Sequence, residues 1–212
     1  MATPAKRTYR TSPFGKAVHP WLNKADTKFN EAGVFKTGQR VPIAEAQAMM
    51  DLVQKEAERY LAEVTEGMTA KDRKAWTLYV PFEVETDDND NPTGFVVFNY
   101  KQNATIRLKS GEEKKITIRL QDGTGADNAR PIFGGSDIRV LYALRDVKMT
   151  SGKQAGVRLD FCGVQVRKYA EGGQAGGGFG AIDGCEDEDY GAGEAMPPAD
   201  RSGSAAAADG DY

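Results

Sequence analysis

The sequence predicts a mainly β domain, a small antiparallel barrel or sandwich with one long helix appended, followed by a tail with no fold of its own. Three observations carry this. Five segments after Trp76 alternate apolar and polar residues with period two, and one segment before it repeats apolar residues every three or four positions. The two patterns never follow one another in the βαβ rhythm of a parallel sheet. At 212 residues the chain, with its tail set aside, has the size of a single domain with a real hydrophobic core.

Residues 1–13 carry Lys6, Arg7 and Arg10 with two prolines and no periodicity, and read as a flexible basic arm. Between Phe14 and Val41 the apolar pieces AVHPWL and GVFK flank the turn-rich NKADTKFNEAG, a pattern of two strands joined by a loop. The helix covers about 42–66. Pro42 suits a first helical position, and Ile43, Ala46, Met50, Val53, Ala57, Tyr60, Leu61 and Val64 share one face before Gly67 ends it. MTAKDRKAW then forms a short second helix or turn. Strands are expected over 77–84, 94–108, 114–120, 137–148 and 156–167, with turns at DDNDNPTG, KSGEE, DGTGADNARP and TSGKQAG. The second strand is long enough to need a bend near NYKQNA.

Charge is split by position. Residues 1–169 hold 27 Lys+Arg against 21 Asp+Glu, a net of +6, whereas residues 170–212 hold one Arg against ten acids, a net of −9. Eleven of the 24 glycines also lie in that C-terminal segment, a composition that predicts disorder. Along the last strands Ile116, Ile118 and Leu120 oppose Lys115, Thr117 and Arg119. In the same way Ile138, Val140, Tyr142 and Leu144 oppose Arg139, Leu141 and Arg145, and Val157, Leu159 and Phe161 oppose Arg158 and Asp160. A basic outer face on three strands, joined to an acidic tail, is the layout of a body that holds a polyanion and carries a competing one.

Other chemistries lack their residues. His19 is the single histidine, and Cys162 and Cys185 form neither a disulfide framework nor a zinc set. Asp87, Asp88 and Asp90 fall short of a calcium loop and read as a solvated hairpin tip, and the tail glycines lack the strand, helix and GK[ST] of a phosphate loop. Asp122, Asp127 and Asp146 are scattered, so no enzyme and no cofactor are expected. No apolar run reaches the roughly 18 residues of a membrane span, and a soluble, cytoplasmic protein is expected.

The order of the pieces resembles the replication single-stranded-DNA-binding proteins of podophage-type bacterial viruses. GVFKTGQRVP at 33–42 leads into the helix, KKITIRLQD at 114–122 gives a hydrophobic frame, and PIFGGSDIRVLYALRDVK at 131–148 turns into a strand with Tyr and Leu at alternate positions. GVRLDFCGVQV follows, and the chain closes on DGDY, where that family ends in acidic residues and an aromatic. Two features differ: Ala32 stands where family members can carry a basic residue, and the tail is richer in Ala and Gly. The resemblance implies an OB-fold, a five-stranded antiparallel barrel, over residues 14–169 and an acidic tail over 170–212. It implies roles in viral DNA replication, recombination and repair. The tail is long enough to return to the domain's own groove, so it is expected to compete for that groove and, once displaced by DNA, to recruit the replicative polymerase and helicase-primase through Glu186, Asp187, Glu188, Asp189, Asp209, Asp211 and Tyr212. The resemblance further implies dimer contacts through the tail, and so a possible homodimer.

A sequence-neutral binder of single strands needs aromatic platforms for bases and cations for phosphates. Of the rings outside the helix, which include Phe29 and Phe98, those expected to stack are Trp21, Phe35, Tyr79 and Tyr100, each with basic or polar neighbours. Phosphate contacts are expected from Lys101, Arg107, Lys109, Lys114, Lys115, Arg119, Arg139 and Arg158, aided by the arm. A virion assembly or scaffold protein and an RNA-binding barrel are the competing readings.

Overall fold

The computed structural model describes residues 8–108 and 110–171. Alternation of buried and exposed residues builds the first long elements, β2 (Gly15–Asp26) and β3 (Val34–Pro42), preceded by a short β1 (Tyr9–Thr11). In β3, Phe35, Thr37, Gln39 and Val41 face inward while Lys36, Gly38 and Arg40 face out. Helix α1 (Ile43–Thr65) follows directly, with Pro42 at its cap and Ala46, Met49, Val53 and Ala57 buried. Glu66 closes it and Gly67 turns the chain with φ 73°. A one-turn α2 (Ala70–Lys74) is capped by the Thr69 hydroxyl, which accepts the Asp72 N–H.

All five of the strands predicted after Trp76 are found with altered limits. The segment 77–84 is two strands, β4 (Thr77–Tyr79) and β5 (Phe82–Thr86), separated at Pro81, which has no N–H to donate. The segment 94–108 bends at Ala104 into β6 (Pro92–Asn103) and β7 (Thr105–Arg107), within the NYKQNA stretch where a bend was expected. The segment 114–120 divides into β8 (Glu113–Lys115), which pairs with β7, and β9 (Arg119–Gln121). The strands β10 (Asp137–Met149) and β11 (Gln154–Lys168) extend the last two predictions by one to three residues. The end of the predicted arm is a strand: β1 pairs antiparallel with β10, Arg10 opposite Tyr142.

Five strands close a ring in the order β10, β2, β3, β6, β11 and back to β10. This is the five-stranded Greek-key closure expected of an OB-fold. It departs from the all-antiparallel expectation at one seam, where β6 and β11 run parallel with Tyr100 opposite Leu159. The other weak seam joins β10 to β2 through Asp137–Lys16 and Ile138–Gly15. There Ala17 N–H donates to Ser136 O and Gly135 N–H to Ala17 O, both at 2.8 Å. α1 packs most extensively against β11.

The ring interior is filled by Phe98, Tyr100, Tyr142 and Phe161, with the Tyr100 ring 6.1 Å from both Tyr142 and Phe161 in edge-on contact. Gln39, fully buried, binds this interior to its wall. Its Nε2 donates to Pro13 O (2.9 Å) and Ile138 O (2.8 Å), while its Oε1 accepts the Tyr100 hydroxyl (2.8 Å). Burial beside these apolar rings pushes the Tyr100 phenol well above its ordinary range.

Face parity in β11 changes midway. Val157, Leu159 and Phe161 point inward, then Val164 and Val166 do, because Cys162 is an extra residue between the pairs Tyr142–Phe161 and Leu141–Gly163. Glycine is required at position 156, where a Cβ would overlap the Tyr79 carbonyl of the neighbouring β4. Gly156→Ala is therefore expected to lower stability by about 1–3 kcal/mol in urea denaturation.

Several carboxylates are held below their ordinary pKa. Glu85 is lowered by Arg40, which makes three contacts of 2.7–3.0 Å with it, and then by the Thr93 hydroxyl. Asp26 is lowered by Lys36 and the Lys28 N–H, and Asp122 first by Thr124. A depressed folded-state pKa contributes stability that is present above the unfolded value and lost as pH falls through the folded one. Stability should thus hold from neutrality to about pH 4.5 and decline below it. Glu85→Gln should flatten the first part of that decline, read from urea midpoints between pH 6 and 3.

Candidate nucleic-acid interface

The outward residues of β2, β3 and β6 make one continuous face. Trp21 stands opposite Lys36 and Lys36 opposite Lys101, so a single cross-strand row holds an indole and two ammonium groups. Trp21 is 43% exposed, and the Lys36 side chain 41%. Beside the row lies a groove of about 430 Å³ lined by Lys36, Lys101, Arg158, Tyr79 and His19. Its floor includes Gly38, where an added Cβ would press within 3.2 Å of Val18 and Val97 and narrow the space. β4 delivers Tyr79 to this groove by pairing with Gly156, and β11 delivers Arg158.

Two of the groove cations already have partners. Lys36 Nζ lies 2.6 Å from Asp26 Oδ2, and Arg158 Nε lies 2.7 Å from Asp160 Oδ1. Asp160 is 5% exposed and also sits 3.4 Å from Arg145. Lys101 has no carboxylate within ion-pair distance among the described residues.

Beyond Lys36 the face runs into two hairpin tips. The β2–β3 turn carries Lys28 and Phe29, the Lys28 ammonium 5.2 Å from a ring that is 87% exposed. The β7–β8 hairpin is rooted beside it: Ala104 N–H donates to Gly33 O and Ile116 N–H to Ala104 O. That hairpin presents Arg107, Lys114 and Lys115, all exposed. Groove, row and tips together form a track of cations and aromatic rings, the arrangement that follows a single-stranded nucleic acid.

The structure gathers some of the predicted site residues here and sends others elsewhere. Trp21, Tyr79, Lys101 and Arg158 lie at the groove or its row, and Arg107, Lys114 and Lys115 on the adjoining hairpin. Phe35 and Tyr100 are corrected to core. They are 8% and 2% exposed, on the inward parity of β3 and β6; Tyr100 contributes to the groove lining but is too deeply buried to offer a ring face to a base. Arg119 and Arg139 line a separate cavity of about 280 Å³ on the outer side of β9, β10 and β11. There Arg119 pairs with Asp127 at 2.7 Å and Arg139 Nε donates to Gln165 Oε1 at 2.7 Å. Arg10 lines another cavity with Arg59 and Arg145. Lys6, Arg7, Lys109 and the tail residues Glu186, Asp187, Glu188, Asp189, Asp209, Asp211 and Tyr212 lie outside the described residues.

Sequence reasoning missed Lys36, His19 and Lys28, and passed over Phe29. Lys36 was legible: counting back by twos from Val41 puts Phe35 inside and Lys36 outside. Nothing in the sequence marks the Asp26–Lys36 pair, which depends on hairpin register.

Comparison with known proteins gives a consistent result. The family model described as "Single-stranded DNA-binding protein, Bacteriophage T7" matches residues 13–168. The crystal structure of gp2.5, a single-stranded DNA binding protein encoded by bacteriophage T7, superposes with a TM-score of 0.65 at 26% identity, covering 89% of this chain and all of that one. The single-stranded DNA-binding protein of bacteriophage Enc34, in complex with single-stranded DNA, shares the fold with a TM-score of 0.52 at 12% identity, over 79% of this chain and 96% of its own. No curated protein sequence matches. With most of its length under that family model, the chain belongs to the family of the bacteriophage T7 single-stranded DNA-binding protein.

Proposed function

We propose that this protein binds single-stranded DNA without sequence preference along the exposed face of β2, β3 and β6. The observation that carries this is the Trp21–Lys36–Lys101 row, which sets an exposed indole at one end of a line of cations on the two neighbouring strands. Bases stack on Trp21, with Tyr79 and Phe29 as further platforms, while Lys101, Arg158 and the hairpin cations follow the phosphates. Duplex DNA, whose bases turn their faces to each other, offers this surface nothing to stack on.

The finer role rests on composition. A segment of net −9 tied to this domain is a polyanion at high local concentration, able to compete for the cationic face. DNA displaces it, and its acidic residues with Tyr212 are then offered to basic surfaces of the replicative polymerase and helicase-primase, or of a second copy in a homodimer. Viral DNA replication, recombination and repair are the settings that supply both the DNA and those partners.

In a competition assay single-stranded DNA should displace a labelled strand well before duplex DNA does; equal competition by duplex overturns the reading, and stronger competition by RNA redirects it. If Lys28, Lys101, Arg107, Lys114 and Lys115 each neutralise one phosphate, while Arg158 only exchanges its pairing with Asp160, log K should fall against log salt with a slope near −3.5. Trp21→Ala should cost about 1–3 kcal/mol of binding. Tyr100→Phe should leave binding unchanged and lower stability by about 1–2 kcal/mol, because Gln39 Oε1 loses its donor. Removal of residues 186–212 should tighten binding measured by anisotropy, and most at low salt; unchanged or weaker binding contradicts the competition.

A further inference from the structure

We propose that Asp26 is a built-in competitor of the DNA backbone, a fixed carboxylate that occupies Lys36 in the free protein and must be displaced by a phosphate before Lys36 can join the track. The inference rests on the reading of this face as a binding surface for single-stranded DNA.

The geometry gives the carboxylate and the ammonium unequal freedom. Asp26 is pinned: its Oδ1 accepts the Lys28 N–H at 2.9 Å, closing the hairpin turn, and its side chain is only 10% exposed. Lys36 reaches it from the middle of the row on a flexible four-carbon stem, 41% exposed, with its Nζ 2.6 Å from Oδ2. The ammonium can swing toward a phosphate, and the carboxylate cannot follow it.

The consequence for binding is an exchange of one ion pair for another. A free cation gains the whole of a phosphate contact, as Lys101 does. Lys36 gains only the difference between phosphate and carboxylate, and the phosphate also meets the negative charge left behind. The row is thereby held to moderate affinity at its centre, which suits a protein that must surrender the strand. Arg158 is paired in a similar way, but its partner Asp160 is buried and shared with Arg145, so removing that acid would strand two cations and confuse any test. Asp26 is the cleaner site.

Asp26→Asn keeps the volume and the oxygen that accepts the Lys28 N–H, and removes the charge. Binding to a fluorescent oligothymidylate is measured by anisotropy at several salt concentrations on the full chain. Asp26→Asn should bind about three- to tenfold tighter at low salt, with a salt slope steeper by about 0.7, the value of one additional neutralised phosphate on a single strand. The double variant Asp26→Asn with Lys36→Ala should lose that gain, and Asp72→Asn, an acid on α2, should bind as the unaltered chain does. In an otherwise unaltered chain, Lys36→Ala should cost less than twofold and Lys101→Ala about fivefold. The inference is overturned by unchanged or weaker binding of Asp26→Asn, by a gain that survives Lys36→Ala, or by equal losses for the two lysines. An unaltered chain that fails to bind the oligonucleotide overturns the parent reading itself, an outcome separable from these.

Discussion

Strand β11 must be hydrogen-bonded along both edges, and the rest of the ring depends on that. One edge runs antiparallel to β10 over nearly its whole length, and the other is met in parallel by β4, β6 and β9 in turn. A strand shared among so many partners tolerates few side chains where backbones come close. Gly156 lies under the Tyr79 carbonyl, and the Cys162 bulge lets the strand bend from one set of partners to the next without exposing its apolar residues. Tyr79 and Arg158 reach the groove only because this strand is so placed.

The interior then fixes the outer face through strand parity. Gln39 ties β3 to β6 by way of Tyr100, to β10 by Ile138 O and to the entering chain by Pro13 O, so β3 cannot slip by a residue without breaking a buried network. Lys36, three residues before Gln39, is held outward by that lock. The aromatic rings and amide inside the ring are in this sense what aims the cations outside it, and a site built on paired strands is positioned more firmly than one on loops.

Much of this was legible in the sequence, because periodicity records which face a residue occupies. The helix, the two long C-terminal strands and the bend near Ala104 all follow from local pattern. Periodicity says nothing of partners, however. The segment 77–84 reads as one strand, yet its halves pair with β11 and β6 respectively, and only Pro81 hints at the break. Phe35 and Tyr100 were misplaced because basic neighbours were weighed above alternation, although Val96, Phe98 and Tyr100 share a parity that puts Lys101 on the other side. Asp160 read as an outward residue of a solvated face, and it is buried between Arg145 and Arg158. The pairing of β1 with β10, like the Asp26–Lys36 contact, joins residues whose proximity is a product of the fold and leaves no local trace.

The closure of the ring between β2 and β10 has a consequence during synthesis. Gly15 finds its partner only when Ile138 exists, and α1 lacks its principal packing surface until β11 has been made. For most of translation the nascent chain therefore carries a β2–β3–β6 meander with open edges and a helix with a bare apolar stripe, the exposed features that invite chaperones or self-association. Folding is governed by contacts between the ends of the domain, so its rate is set by loop closure at the last stage of chain growth, after the local hairpins and the helix have had time to form.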